Sequence, residues 1–313
     1  MIRALLAACC LFAVPAFAQY TSTAGHSAPA PVAVDKEVTG KDGTKKTERV
    51  FVPVAKDQFG NASGNQHDLA IDGAFDGQTV VVLHLYTGEG FDFHLPKEAL
   101  AQKGFSVYRY VNVAPPPAEL ARALEKANQL WVIAGGSRQL TDEHLAVIKK
   151  FYDAGHGLYI WGDNAPYAQD ADFLSRAIFK SEMVSSPWDQ GEQVVARQNG
   201  KGETGILSDH LLTTGIEQLY EGHTIAYLPQ PGVLTPLIVD SSKHVVTAFF
   251  DRDGKRAIVD GGFTRLYVKW DTAGTGRYVK NAAAWLANAE RFGDAVVAKK
   301  GDVDAKKLND PKK

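Results

Sequence analysis

Asp163 and Asn164 follow the apolar run Leu158-Tyr159-Ile160-Trp161 and one glycine, Gly162, and lead into Ala165-Pro166-Tyr167. A side chain at such a turn leaves the end of a strand. A carboxylate there can serve as general base, metal ligand or nucleophile once a partner tunes it. The same residue types also suit a purely structural role, with Asp163 capping the helix that follows and Asn164 accepting positive φ in the turn. Two more glycine-rich turns follow apolar runs. Gly135-Gly136-Ser137 offers backbone N–H groups to an anion or oxyanion, or simply a tight exit from a strand. Thr87-Gly88-Glu89-Gly90-Phe91 carries Glu89, the second carboxylate that can reach the same edge.

The histidines add little to this set. His84 lies inside an apolar run and reads as a core or sheet-face residue, and His156 follows a helix-ending Gly155 and is expected at the surface. His210, in Ser208-Asp209-His210-Leu211-Leu212, either touches a ligand or packs and caps the next helix. No His-x-x-x-His or His-x-Glu spacing occurs, so no metal site is indicated. Gly274-x-Gly276 lacks the third glycine and acidic partner of a dinucleotide fingerprint, and no phosphate loop is present, so no cofactor is expected. The richest polar run is Asp260 to Tyr278, with Phe263, Thr264, Arg265, Lys269, Trp270, Asp271 and Thr275 among glycines. An aromatic beside Asp and Arg suits a sugar or another polar metabolite. The alternative is that Trp270 anchors the loop while the charges pair with one another.

At the amino terminus Arg3 leads into an apolar stretch from Ala4 to Pro15 and then a small-x-small site, Ala16-Phe17-Ala18. This reads as a signal peptide over residues 1–18, cut after Ala18, and implies a periplasmic or secreted protein. The stretch falls short of the ~20 apolar residues of a spanning helix, so no membrane anchor is expected after cleavage. Both cysteines of the chain, Cys9 and Cys10, lie in this leader. The mature chain therefore has no disulfide, thiolate nucleophile or Cys-ligated metal. A net charge of −2 argues against nucleic acid as a partner.

Residues 19–77 are rich in Ala, Pro, Gly, Ser, Thr and Lys and read as a flexible linker, with Val50 to Val54 as a possible strand added to a sheet edge. Residues 294–313 read as a charged disordered tail. Between them, residues 78–293 alternate strand and helix signals. Thr79 to Tyr86 is a continuous β-branched run of the kind buried on both faces, and Phe105 to Val111, Gln129 to Ala134 and the buried Leu158 to Trp161 read as three further strands. Helices fall around Pro96 to Gln102, after Pro115-Pro116-Pro117, from Thr141 to Gly155 and from Asp170 to Phe179. Beyond Phe179 two hairpins are expected, Gln193–Gln198 with Thr204–Leu207 and Val245–Phe250 with Arg256–Asp260, before a last helix from Gly276 to Arg291. The rhythm predicts an α/β fold, a flavodoxin-like three-layer sandwich with a mostly parallel sheet and added β-hairpins.

In this order several strings resemble the class I glutamine amidotransferase-like superfamily, and within it the trehalose-utilization (ThuA-like) type. They are the strand ending in Ala134-Gly135-Gly136, the AGHGLYIWGDNAPY turn, SDHLLTTGIEQLYEG, and GKRAIVDGGFTRLYVKW followed by NAAAWLANAE. The resemblance implies an elbow at Gly162-Asp163-Asn164, where amidotransferases of this class carry Cys. It also implies a closing loop at Gly261-Gly262-Phe263-Thr264, where ThuA-like relatives often carry Gly-His. The Cys/His catalyst is thus missing from both places, and amide transfer by a thiolate is set aside. The expectation is an exported domain that binds a polar small molecule or carbohydrate at the carboxyl edge of the sheet. Its cleft would be lined by Thr87, Gly88, Gly135, Gly136, Ser137, Gly162, Asn164, Tyr167 and the polar-run residues named above. Two alternatives stand beside it: a hydrolase using Asp163 with Glu89 or His210, and a structural or assembly module.

Overall fold

The computed structural model describes residues 32–185, 193–196, 204–206, 210–240, 242–270 and 273–298. The proposed leader and residues 299–313 of the proposed tail lie outside the described residues. The first described elements are β1 (Val32–Thr39) and β2 (Lys45–Val52), which pair antiparallel with each other as a separate two-stranded sheet. Val50 to Val54 therefore do not join the main sheet. The turn explains why: Asp42 Oδ1 accepts from the backbone N–H and hydroxyl of Thr44, and Gly43 takes φ 79°, so the strand finds its partner locally.

The body begins well before residue 78. Asn61 Oδ1 accepts the backbone N–H groups of Glu217 and Gln218, and Leu69 N–H donates to Asn281 Oδ1 at 2.7 Å. Leu69, Ala70, Ala74 and Phe75 are buried, and Phe75 stacks on Phe105 at 4.9 Å. Asp68 is fully buried within reach of Lys103 (3.0 Å), Arg277 (2.8 Å) and Lys280 (2.7 Å). Composition made this stretch resemble a linker, but a few apolar residues and one carboxylate bind it to the helices.

Then come β3 (Thr79–His84), α1 (His94–Gln102), β4 (Ser106–Val111), α2 (Pro117–Leu124), β5 (Gln129–Ile133), α3 (Asp142–Asp153), β6 (Gly157–Trp161) and α4 (Gln169–Phe179). Thr141 caps α3 and its partner His144 completes the box: the Thr141 side chain accepts from His144 N–H while His144 Nδ1 accepts from Thr141 N–H. Short strands follow: β7 (Val184–Ser185), β8 (Gln193–Ala196), β9 (Gly205–Ile206), β10 (Gln218–Gly222), β11 (Ala226–Tyr227) and β12 (Thr235–Val239). The chain closes with β13 (Val245–Arg252), β14 (Lys255–Asp260), α5 (Thr275–Leu286) and α6 (Ala289–Phe292).

One expected hairpin forms, β13 with β14. The other does not, because β8 pairs with β10 and β9 with β12, so the two strands drawn together by Asn199-Gly200 serve different sheets. The long last helix also stops early. Asn288 turns left-handed at φ 56° and its Nδ2 donates to the carbonyls of Gly155 and Gly254, splitting α5 from α6. Val296 and Ala298 are buried, and Ala298 N–H donates to Ala74 O, so the proposed tail starts later than Asp294.

The main sheet runs β4-β3-β5-β6-β14-β13-β12-β9. Its first five strands are parallel and the last three alternate. Taken by order of appearance, the parallel part reads 2-1-3-4-5, the flavodoxin-like arrangement. Alternate residues of each strand feed the two faces. Val80, Val82, Trp131, Tyr159 and Trp161 pack under α1 and α5, whereas Val81, Leu83, Val132, Leu158 and Ile160 pack under α2, α3 and α4. Continuous apolar runs were therefore the right signal for strands covered on both sides. No described helix is long and apolar enough to cross a membrane.

Candidate functional site

The strand order reverses between β3 and β5, and in open α/β sheets the crevice at such a reversal lies outside the carboxyl ends of the strands. Four turns meet there. A Cβ on Gly136 would lie 3.5 Å from the Tyr167 ring, and Gln169 Nε2 donates to Gly136 O. Tyr86 contacts Tyr167 at 4.8 Å and Phe263 at 5.0 Å between ring centroids, and Tyr267 O–H donates to Glu89 at 3.2 Å. Gly135 is glycine because a Cβ there would sit 2.6 Å from Leu85 O, where the exits of β3 and β5 touch. At Gly162 a Cβ would sit 2.3 Å from Met183 Sδ.

Asp163 stands at the centre of this edge, but it does not face the crevice. It is 1 % exposed. Its Oδ1 accepts from Asn164 N–H (2.8 Å) and the Thr224 hydroxyl (2.5 Å), and its Oδ2 from Thr264 N–H (2.9 Å) and the Thr264 hydroxyl (2.5 Å). Each oxygen thus has both acceptor positions filled. Burial pushes the carboxyl up to about 7 against these four donors, which favour the ionised form. Neither of the two turn roles expected for this pair holds. α4 starts six residues later with Ala168 at its cap, and Asn164 does not take positive φ. In the neighbouring turn after β3, Glu89 does take positive φ, at 54°.

The other expected site residues separate into three groups. Glu89, Gly136 and Ser137 are exposed, and Thr87, Gly88, Asn164 and Tyr167 are partly so; the Thr87 hydroxyl donates to Asn112 Oδ1. Gly135, Gly162, Phe263, Thr264 and Arg265 are buried and build the floor. Arg265 is wholly enclosed, ion-paired with Asp260 and donating to Gly262 O, so it is unable to meet a ligand. Trp270 leaves the edge and lines a cleft of about 440 Å³ with Leu95, Glu98, Ala99, Gln102, Gly276 and Lys280. Thr275 is buried in the first turn of α5, Lys269 is exposed at φ 51°, and Asp271 lies outside the described residues.

His210 is not at the edge either. Its ring packs on Phe249 (4.0 Å) and Trp285 (5.1 Å), and its Nδ1 accepts Leu212 N–H. Burial, with help from the Arg256 charge, pulls it down to about 4. A half-buried ring packed beside the last turn of α5 is no partner for Asp163. His84 is buried as expected, with Nδ1 3.0 Å from Arg109 Nη1, but its Nε2 has no hydrogen-bond partner. His156 is half-buried rather than exposed, stacked between Phe151 (4.5 Å) and Phe292 (5.1 Å).

Residues the sequence did not single out complete the edge. Thr224 lies just beyond Gly222-His223 and bonds Asp163, a role that only the fold reveals. Tyr86 and Tyr267, the latter inside the FTRLYVKW string, stand 6.1 Å apart and with Tyr167 form a half-exposed rim. Burial raises the phenols of Tyr86 and Tyr267 above their usual range, and the charges of Glu89 and Asp163 add to that. Glu221 is buried with both carboxylate oxygens unpartnered. It is the bulged residue of β10, where the register with β8 slips between Tyr220 and Gly222.

No protein-family model matches the chain, and no curated protein matches it. Several solved structures do resemble it. The mmIFT52 N-terminal domain aligns at 12 % identity and TM-score 0.47, over 66 % of this chain and 97 % of that one. A ThuA-like protein from Parabacteroides merdae aligns at 11 % and 0.43, over 72 % and 92 %. The glutaminase domain of Trypanosoma brucei CTPS, solved with bound acivicin, aligns at 12 % and 0.37, over 66 % and 94 %. At these values the chain's own sheet order is the ground for its fold class.

Proposed function

We propose that this chain is an exported, non-catalytic amidotransferase-like domain that binds a polar small molecule or carbohydrate on the tyrosine rim of Tyr86, Tyr167 and Tyr267. The observation that carries the reading is the contrast at the carboxyl edge. The elbow carboxylate is enclosed and saturated with donors, whereas the aromatic faces beside it, Glu89 and the backbone at Gly136-Ser137 stay open. Aromatic walls with a few fixed polar groups are the usual lining of a small-molecule site. Their place at the strand-order reversal is where α/β sheets take ligands. The amidotransferase-like reading is supported by the order of the sequence strings, and the absence of a thiol by the positions of Cys9 and Cys10.

The test is calorimetric titration of the purified protein with mono- and oligosaccharides, cell-wall fragments and short peptides. Binding that is lost in Tyr167→Ala, with the melting temperature retained, is the expected result. If no compound binds, or if Tyr167→Ala binds as well as wild type, the rim is not the site. Export is tested separately by sequencing the amino terminus of protein recovered from a secreting host, with Gln19 the expected first residue.

A further inference from the structure

Among the described residues, and Val233 apart, large apolar side chains left in water gather at two places. One is the outer edge of the main sheet, β4 and its exit, with Tyr108 51 % and Val113 68 % exposed. The other is the β1–β2 hairpin, with Val34 44 % and Phe51 71 % exposed. Both are unfinished as β structure. Among the described residues β4 pairs only with β3, so one side of its backbone has no strand beside it, and Arg109 is the one charge on it, with no lysine, proline or bulge of the kind that commonly guards an edge. A lone two-stranded hairpin is at best marginally stable in water.

The backbone parity of the two elements fits them together. Ser106 and Asn112 donate their N–H groups to β3, so the even-numbered residues of β4 face inward, and Val107, Arg109 and Val111 turn theirs to the open side. In the hairpin Gly40 N–H donates to Thr44 O and the register is unbroken from there, so odd-numbered residues of β1 face outward. Antiparallel pairing of the two open sides must therefore match odd with odd. Placing Asp35 opposite Arg109 satisfies this and sets Lys36 against Tyr108 and Val34 against Tyr110. Arg109 donates to His84 and to Asp92 O, and no carboxylate among the described residues forms an ion pair with it. Pairing β4 with its own copy is less favourable, because the two registers that match five of its six residues set Arg109 against Arg109 or against Val107 and give it no carboxylate in either.

We propose that β1 of one copy adds as an antiparallel strand to the β4 edge of a second copy, Asp35 facing Arg109, and that the exchange is reciprocal and closes a two-fold dimer. Sedimentation equilibrium of the full chain tests it. Wild type is expected as a dimer, and Asp35→Arg and Arg109→Asp are each expected to raise the dimer dissociation constant roughly tenfold or more. The double swap is expected to restore it. Within the hairpin Asp35 also pairs with Arg49, at 3.2 Å, and Asp35→Arg breaks that pair too; the double swap restores only the match across the interface, so recovery of the dimer there separates the interface from the hairpin. Lys36→Cys with Tyr108→Cys, in a chain whose Cys9 and Cys10 are serine, places a non-hydrogen-bonded pair at disulfide distance. A reducible cross-link between two chains is expected. A monomeric wild type at high micromolar concentration, or a cross-link within one chain, would overturn the proposal.

Discussion

Thr264 gives Asp163 both its backbone N–H and its hydroxyl, onto one carboxylate oxygen, from 101 residues further along the chain. With Thr224 on the other oxygen, the carboxylate ties the exit of β6 to the turn after β14 and to the loop after β10. The carboxylate at the end of β6 thereby acts as a clasp between three loops.

Asp163→Asn is expected to destabilise the fold, because the amide nitrogen is forced against donors. The cost should be about 2 to 4 kcal/mol in denaturant unfolding, and Thr264→Val should cost about 1 to 2 kcal/mol. A stable Asp163→Asn protein would show that the clasp carries no weight.

Glu221 lies enclosed with no hydrogen-bond partner, and burial, with the nearby Asp240 charge, pushes it up to about 8. A folded-state value above the ordinary 4.5 means that the folded form holds the proton more tightly. Its contribution to stability is therefore complete below pH 4.5 and is lost as pH rises through 8. Glu221→Gln removes that dependence, so its advantage over wild type in urea midpoint should grow across this window, reaching on the order of 3 kcal/mol.

His84 and His210 are both pulled down to about 4, chiefly by burial. The sign is opposite here: the folded state binds fewer protons, so stability is present above pH 6.5 and is lost as pH falls towards 4. Histidine-ring NMR should show both titrating at least one unit below the ordinary histidine value of 6.5. A near-neutral value for His210 would reopen it as an acid–base group.

Asp68 is the shared anion of Lys103, Arg277 and Lys280, all of them largely enclosed. Asp68→Asn leaves three cations facing one another, with only Asp72 at hand for Lys103. A loss of about 3 to 5 kcal/mol is expected. A melting curve equal to that of wild type would mean that residues 61–77 are held by their apolar contacts and by the hydrogen bonds of Asn61 and Leu69, without help from the ion cluster.

The parallel core is legible because its central strands β3, β5 and β6 are nearly continuous apolar runs and its helices carry caps and 3.6-residue stripes, as at Thr141 and in Tyr278, Ala282 and Trp285. Local chemistry misled where a distant partner decides. Asn199-Gly200 reads as a hairpin turn, yet its flanking strands pair with β10 and β12. Asp163 and Arg265 read as site residues because both are charged beside glycines. Their orientation depends on Thr224 and Asp260, which no spacing rule brings near. Tyr86 was read as the end of a strand, and only the convergence of four turns makes it part of a rim.

The segment from Asn61 to Phe75 comes early in the chain but docks on α1 and α5, with Leu69 N–H reaching Asn281 across 212 residues. Contacts of such separation are slow to form, since the loop between them must close first. Lys103 and Phe105 offer the segment part of its seat early, but Asn281 is made only with the last long helix. The first residues of the body thus wait for nearly the last before their contacts are complete.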